Sequence, residues 1–142
     1  MRSGVVALKI LVDTSVWIDF FNGVPSTPRT YLKKILENEE DVCVSKYILT
    51  EILQGFKDDG EFEIAKKHLL EFPILGLTDP KQYISAAQLY RLCRKKGLTL
   101  RKTVDCLIAQ TAIEYDVPLL HNDKDFDRIA SVSELKIFAM SY

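Results

Sequence analysis

Several things are scarce in this chain, and each shortage narrows what it can be. Among its 142 residues there are three cysteines, Cys43, Cys93 and Cys106, an odd number with no Cys-x-x-Cys pair. Neither a disulfide framework nor a zinc site is suggested, and a reducing cytosol is the expected setting. The two histidines, His68 and His121, sit at no spacing that would hold a metal between them. Net charge is −1, from 19 basic and 20 acidic residues, so no global field attracts nucleic acid and any such partner must be met by a local patch. No apolar run approaches the ~20 residues needed to span a bilayer, and the segment ahead of Lys9 is too short for a signal peptide, so a membrane is not expected. No internal repeat or low-complexity tract is present, and 47% hydrophobic with 27% charged residues is the balance of a globular chain.

What is present reads as one domain over residues 1–142, large enough to bury roughly two thirds of its unfolded surface without a disulfide. The first seven residues, MRSGVVA, stand ahead of the first strand and read as a leader or the product of an upstream start. Apolar runs predict strands at LKILV (8–12), VCVS (42–45), PILGL (73–77), VPLLH (117–121) and LKIFA (135–139). Helical spacing predicts a helix from Ser15 to Phe21, stopped by Asn22-Gly23, and Pro25 and Pro28 mark the loop after it. Further helices are expected at Arg29 to Glu37, from about Lys46, and at Glu61 to Glu71. Asp79-Pro80 opens a long helix to Lys96 closed by Gly97, Thr103 caps another to about Tyr115, and NDKDFDRI turns into a short one. Strands separated by helices imply a three-layer α/β/α domain with a central, mostly parallel sheet.

In an open parallel sheet, ligands gather beyond the carboxyl ends of the strands. Five acids bear on that edge. Asp13 follows the first strand, and Asp123 and Asp125 follow VPLLH. Glu51 lies in YILTEILQGF at the margin of the stripe formed by Ile48, Leu49, Ile52, Leu53 and Phe56, and Asp105 lies in the first turn of the Thr103 helix. Taken singly, each has a plain role: Asp13 as a helix cap, Glu51 as a solvated margin, Asp105 as a partner of the helix dipole, Asp123 and Asp125 as turn residues. Taken together, carboxylates crowded at one place repel one another unless a divalent cation neutralises them. All the candidate ligands are hard oxygens, which favours Mg²⁺ or Mn²⁺, and the chemistry that such a centre serves is phosphodiester hydrolysis.

At this point the residues resemble the PIN domain family, and within it the VapC-type ribonuclease toxins. The matching pieces are ILVDTSVWIDFF, LTEILQG with Glu51, and DCLIAQTAIEYDVPLLHNDKDFDRIA from Asp105 onward, in the order Asp, Glu, Asp, Asp. The resemblance covers nearly the whole chain. It implies a Mg²⁺- or Mn²⁺-dependent endoribonuclease acting on structured RNA such as tRNA, dimeric, cytoplasmic, and inhibited by a VapB-type antitoxin. It carries the acidic site onto Asp13, Glu51, Asp105 and Asp123, with Ser15 bracing Asp13. In HNDKDF the register allows either Asp123 or Asp125 as the ligand, with the other behind it, and Asp123 is preferred.

Other features stay open at this stage. RLCRKKGLTLRK (91–102) has six basic residues and no acid, and Arg94, Lys95, Lys96, Arg101 and Lys102 form either a helix end that complements its dipole or a track for RNA phosphates. His121 and His68 read as structural, and Trp17, Phe20 and Phe21 as core or a dimer contact. A phosphatase with Asp13 as nucleophile is the enzymatic rival, but the haloacid dehalogenase pattern expects a second Asp where this chain has Ser15. A receiver domain would need an acidic pair before Asp13, and this chain has none there. The non-enzymatic rival is a PIN-like module that binds RNA or protein without turnover.

Overall fold

The computed structural model describes residues 9–140, so the expectations for residues 1–7 and for the start of the first strand at Leu8 fall outside the described residues. Four parallel strands form one sheet in the order β3-β2-β1-β4. They are β1 (Ile10–Val12), β2 (Val42–Ser45), β3 (Ile74–Leu75) and β4 (Leu119–Leu120). Seven helices flank the sheet among the described residues: α1 (Thr14–Asn22), α2 (Thr27–Glu37), α3 (Lys46–Gln54), α4 (Asp59–Leu69), α5 (Pro80–Lys95), α6 (Thr103–Glu114) and α7 (Lys124–Ser131). β1 is central, with Ile10 opposite Val42 on one side and Leu11 opposite Leu119 on the other. Its three residues are buried, as a parallel strand covered on both faces requires.

The connections follow from local chemistry. Asp13 caps α1 through its side chain, and Gly23, at φ 67°, ends that helix in the left-handed conformation that glycine adopts without steric cost. Trp17 is fully buried against Phe20, Phe21 and Phe72, with the Phe21 ring stacked at 5.9 Å, so Trp17 is core and the half-buried Phe20 and Phe21 pack against it. The turns that leave β1 and β4 come together, because the Asp13 N–H donates to the Leu120 carbonyl at 2.9 Å. The acids expected after those two strands therefore share one edge of the sheet.

Five expectations need correction. The LKIFA strand is reduced to one bridge, Leu119 with Ile137, held by Leu119 N–H on the Lys136 carbonyl and Phe138 N–H on the Leu119 carbonyl. The PILGL and VPLLH strands shrink to two residues each, because Pro73 and Pro118 have no N–H to add to the ladder and contribute only their carbonyls, to Val44 and Leu11. Pro28 does not mark a loop: it lies in the first turn of α2, where its missing N–H costs nothing, behind the Ser26 cap. Thr103 is the first residue of α6 rather than its cap, and the capping residue, Lys102, makes no side-chain cap bond.

Candidate metal centre

The first turn of α1 carries the Asp13 side of the site. Asp13 is nearly fully buried, and its Oδ2 accepts from the Ser15 N–H at 3.1 Å and the Ser15 hydroxyl at 2.7 Å. The same hydroxyl accepts from the Asn122 N–H at 3.1 Å, so Ser15 ties Asp13 to the turn after β4. Thr14 donates its hydroxyl to Glu51 Oε1 at 2.8 Å, which draws the α3 acid in from the margin of its helix. Burial raises the Asp13 pKa above the ordinary carboxylate value; the Ser15 and Thr14 hydrogen bonds pull it down only in part, and the Glu51 charge adds to the rise.

The Asp123 side is built differently. Asp123 caps α7, and its Oδ1 accepts from the Asp125 N–H at 3.0 Å and from an Arg101 Nη at 2.8 Å. Asp125 is completely buried: Oδ2 accepts from the Arg101 N–H and Nε at 3.3 and 3.2 Å, and Oδ1 from Arg128. Burial alone would raise its pKa, but the Arg101 N–H and the Arg128 and Arg101 guanidiniums outweigh it and hold Asp125 below the usual range. His121 supports the turn. Because the Asp123 N–H donates to Nδ1 at 3.0 Å, the imidazole proton lies on Nε2 and points to Asp127 Oδ1, also at 3.0 Å. The ring thus braces the turn with both of its nitrogens engaged.

Between the two sides stands Asp105, in the first turn of α6 and 2% exposed. Its Oδ2 is buried with no hydrogen-bond partner. Burial pushes its pKa up to about 7; Lys102 opposes this, and the charges of Asp13, Asp123 and Asp125 reinforce it. Carboxylate oxygens of Asp105, Asp123 and Asp125 lie within 4.8 Å of one another. Asp13 and Glu51 stand outside that tight group and join it through mutual charge repulsion, Asp13 with Asp105 and Glu51 with Asp13.

The expected acids thus converge on one edge, and the donor set fits a hard divalent cation: a buried orphan oxygen on Asp105, other carboxylates around it and no sulfur or free imidazole. Asp105 and Asp123 would hold it, with Asp13 facing them. Asp125, with both oxygens engaged by guanidiniums, would position Asp123 from behind. Of the basic stretch, Arg94, Lys95 and Lys96 lie exposed at the end of α5, Lys102 sits beside Asp105, and Arg101 lies on the acids themselves. Thr14, Asn122, Lys124 and Arg128 were not singled out from sequence. Thr14 could have been, since it stands next to Asp13 on the turn that faces α3; the contacts of Arg128 depend on tertiary packing.

The PIN domain profile matches residues 10–132, and the chain belongs to the PIN domain family. Ribonuclease VapC11 of Mycobacterium tuberculosis is 34% identical over 128 residues, covering 89% of this chain and 96% of that protein. Ribonuclease VapC1 of Methanocaldococcus jannaschii is 31% identical over 131 residues, covering 92% and 87% respectively. Among solved structures, VapBC2 from Rickettsia felis, bound to a DNA fragment from its promoter, superposes with a TM-score of 0.73 at 20% identity, covering 94% of this chain and all of that one. At that identity the match is one of fold.

Proposed function

We infer that this chain is an endoribonuclease, the toxin of a VapBC-type toxin-antitoxin pair, and that its residues 1–142 act as one PIN-like domain. PIN family membership and the named ribonuclease relatives support RNA cleavage. The single observation that carries metal dependence is Asp105 Oδ2, a buried carboxylate oxygen with no partner beside Asp123. A divalent cation there, Mg²⁺ or Mn²⁺, would offset the crowded negative charge and activate water for in-line attack on phosphorus. The protein's part is positional. Ser15 fixes the Asp13 carboxylate, Thr14 fixes Glu51, and His121 with Asp125 fixes the backbone and side chain of Asp123. The finer reading adds structured RNA such as tRNA as substrate, a VapB-type antitoxin as partner, a homodimer and a cytoplasmic setting. No helix among the described residues is long and apolar enough to cross a membrane.

One observation favours the rival, a binding module without turnover: Arg101 already supplies positive charge to Asp123 and Asp125. The test is incubation of partner-free protein with total tRNA in Mg²⁺, in Mn²⁺ and in EDTA, beside Asp13→Asn. Discrete cleavage that requires metal, and that drops on the order of 10²-fold or more in the variant, is expected for a group whose loss removes several kcal/mol of transition-state stabilisation. Intact RNA in every condition, from folded protein, supports the binding module.

A further inference from the structure

RNA is a polyanion, and a cluster of five acids is an unfavourable place to bring one unless cations stand beside it. A cavity of about 500 Å³ adjoins Asp123 and is lined by Arg101, Asn122, Asp123, Lys124 and Arg128. Every side chain on it is polar, and three are cationic. We propose that this cavity is a phosphate subsite for the RNA strand, holding a phosphodiester next to the one that reacts. The proposal rests on the ribonuclease reading and adds to it the contacts that hold the substrate.

Three features support it. Arg101 and Arg128 are pre-organised: Asp125 grips both, so their guanidiniums need little further ordering to receive a ligand. Both keep donors to spare. Arg101 commits Nε and one Nη and Arg128 one Nη, each guanidinium has five N–H groups, and the side chains remain 69% and 42% exposed. Lys124 is exposed and makes no ion pair among the described residues, so its ammonium is available without breaking a contact. Forked donors with a nearby point charge suit the several oxygens of a phosphodiester. Continuity with Asp123 and Asn122 favours RNA as the occupant, since a strand seated here runs directly into the acidic site.

The decisive variant is Lys124→Glu, because that side chain holds nothing in place; Lys67→Glu, on the exposed face of α4, is the control. Binding of a fluorescein-labelled, mixed-sequence RNA oligonucleotide is measured in EDTA over a range of salt, and cleavage of total tRNA in Mn²⁺ is followed in parallel. Lys124→Glu should weaken binding roughly 5- to 10-fold and reduce the slope of log Kd against log salt by about 0.7, the increment for one phosphate contact on a single strand. In cleavage it should raise KM more than it lowers kcat, while the control changes neither. Cleavage by the wild type with binding and salt slope unaltered in Lys124→Glu would overturn the subsite and leave the ribonuclease intact. Binding that shows the Lys124 dependence with no cleavage by the wild type would overturn the ribonuclease reading and keep an RNA contact at this cavity. Loss of binding to an antitoxin alone, with RNA binding unchanged, would assign the cavity to a protein partner and overturn the proposal.

Discussion

The two flanks of the acidic site hold their carboxylates by opposite means. On the α1 flank, Asp13 and Glu51 are fixed by the hydroxyls of Ser15 and Thr14, which orient a carboxylate without cancelling its charge. On the α7 flank, Asp123 and Asp125 are fixed by the guanidiniums of Arg101 and Arg128, which orient and neutralise together. Asp105 lies between and has neither for its buried Oδ2. The uncompensated charge is thus concentrated on Asp13 and Asp105, whose pKa values are raised, and is absent from Asp125, whose value is lowered. A cation has most to gain at the middle of the site, at the unpartnered oxygen of Asp105.

The largest effect that would break this comparison is on folding. Asp125→Ala leaves two guanidiniums facing a fully buried position and frees the connection between α5 and α6 from the first turn of α7. The expected loss is about 2–3 kcal/mol, less than the full cost of breaking a buried pair because the arginines are partly in water. Chemical denaturation would show it as a lower midpoint at unchanged slope. Ser15→Ala, on the other flank, should cost no more than about 1.5 kcal/mol while cutting activity strongly, because its loss misplaces the Asp13 carboxylate.

The middle of the site and its α7 flank should also answer to pH with opposite sign. Asp105 titrates at about 7 in the folded protein against 3.8 for an ordinary Asp. Between those values the native state keeps a proton that the unfolded chain gives up, so this group makes metal-free stability fall as pH rises. Asp125 is depressed, so its contribution is present above the ordinary Asp value and is lost as pH falls through its own lower one. In EDTA, Asp105→Asn should therefore melt a few °C above wild type at about pH 8, and the gap should close toward about pH 5. A gap that is constant across that range would mean that burial does not raise Asp105.

Much of this was legible in the sequence, for identifiable reasons. Helix boundaries marked by Asn22-Gly23 and by Asp79-Pro80 with Gly97 are written in residues whose backbone preferences are strong and local. The acids were legible because Asp13 and Asp123 each follow an apolar run that could only be a buried strand. Short strands were not: Pro73 and Pro118 cut PILGL and VPLLH to two residues, and LKIFA pairs at a single point on the edge beside β4. The contacts of Arg101 were not legible for a related cause: its acidic partners lie 22 and 24 residues away, at the start of a helix that sequence spacing alone does not bring near.

If Asp105 is the buried acid around which a divalent cation is held, thermal melting of partner-free protein during titration with Mg²⁺ and with Mn²⁺ will show it. Ligands that bind only the folded state raise the melting temperature with concentration. Wild type should show such a rise, starting from an EDTA baseline near neutral pH, and Asp105→Asn, with its fold checked by circular dichroism, should lose it. An equal rise in both proteins, or none in wild type at the highest metal concentration, would contradict it.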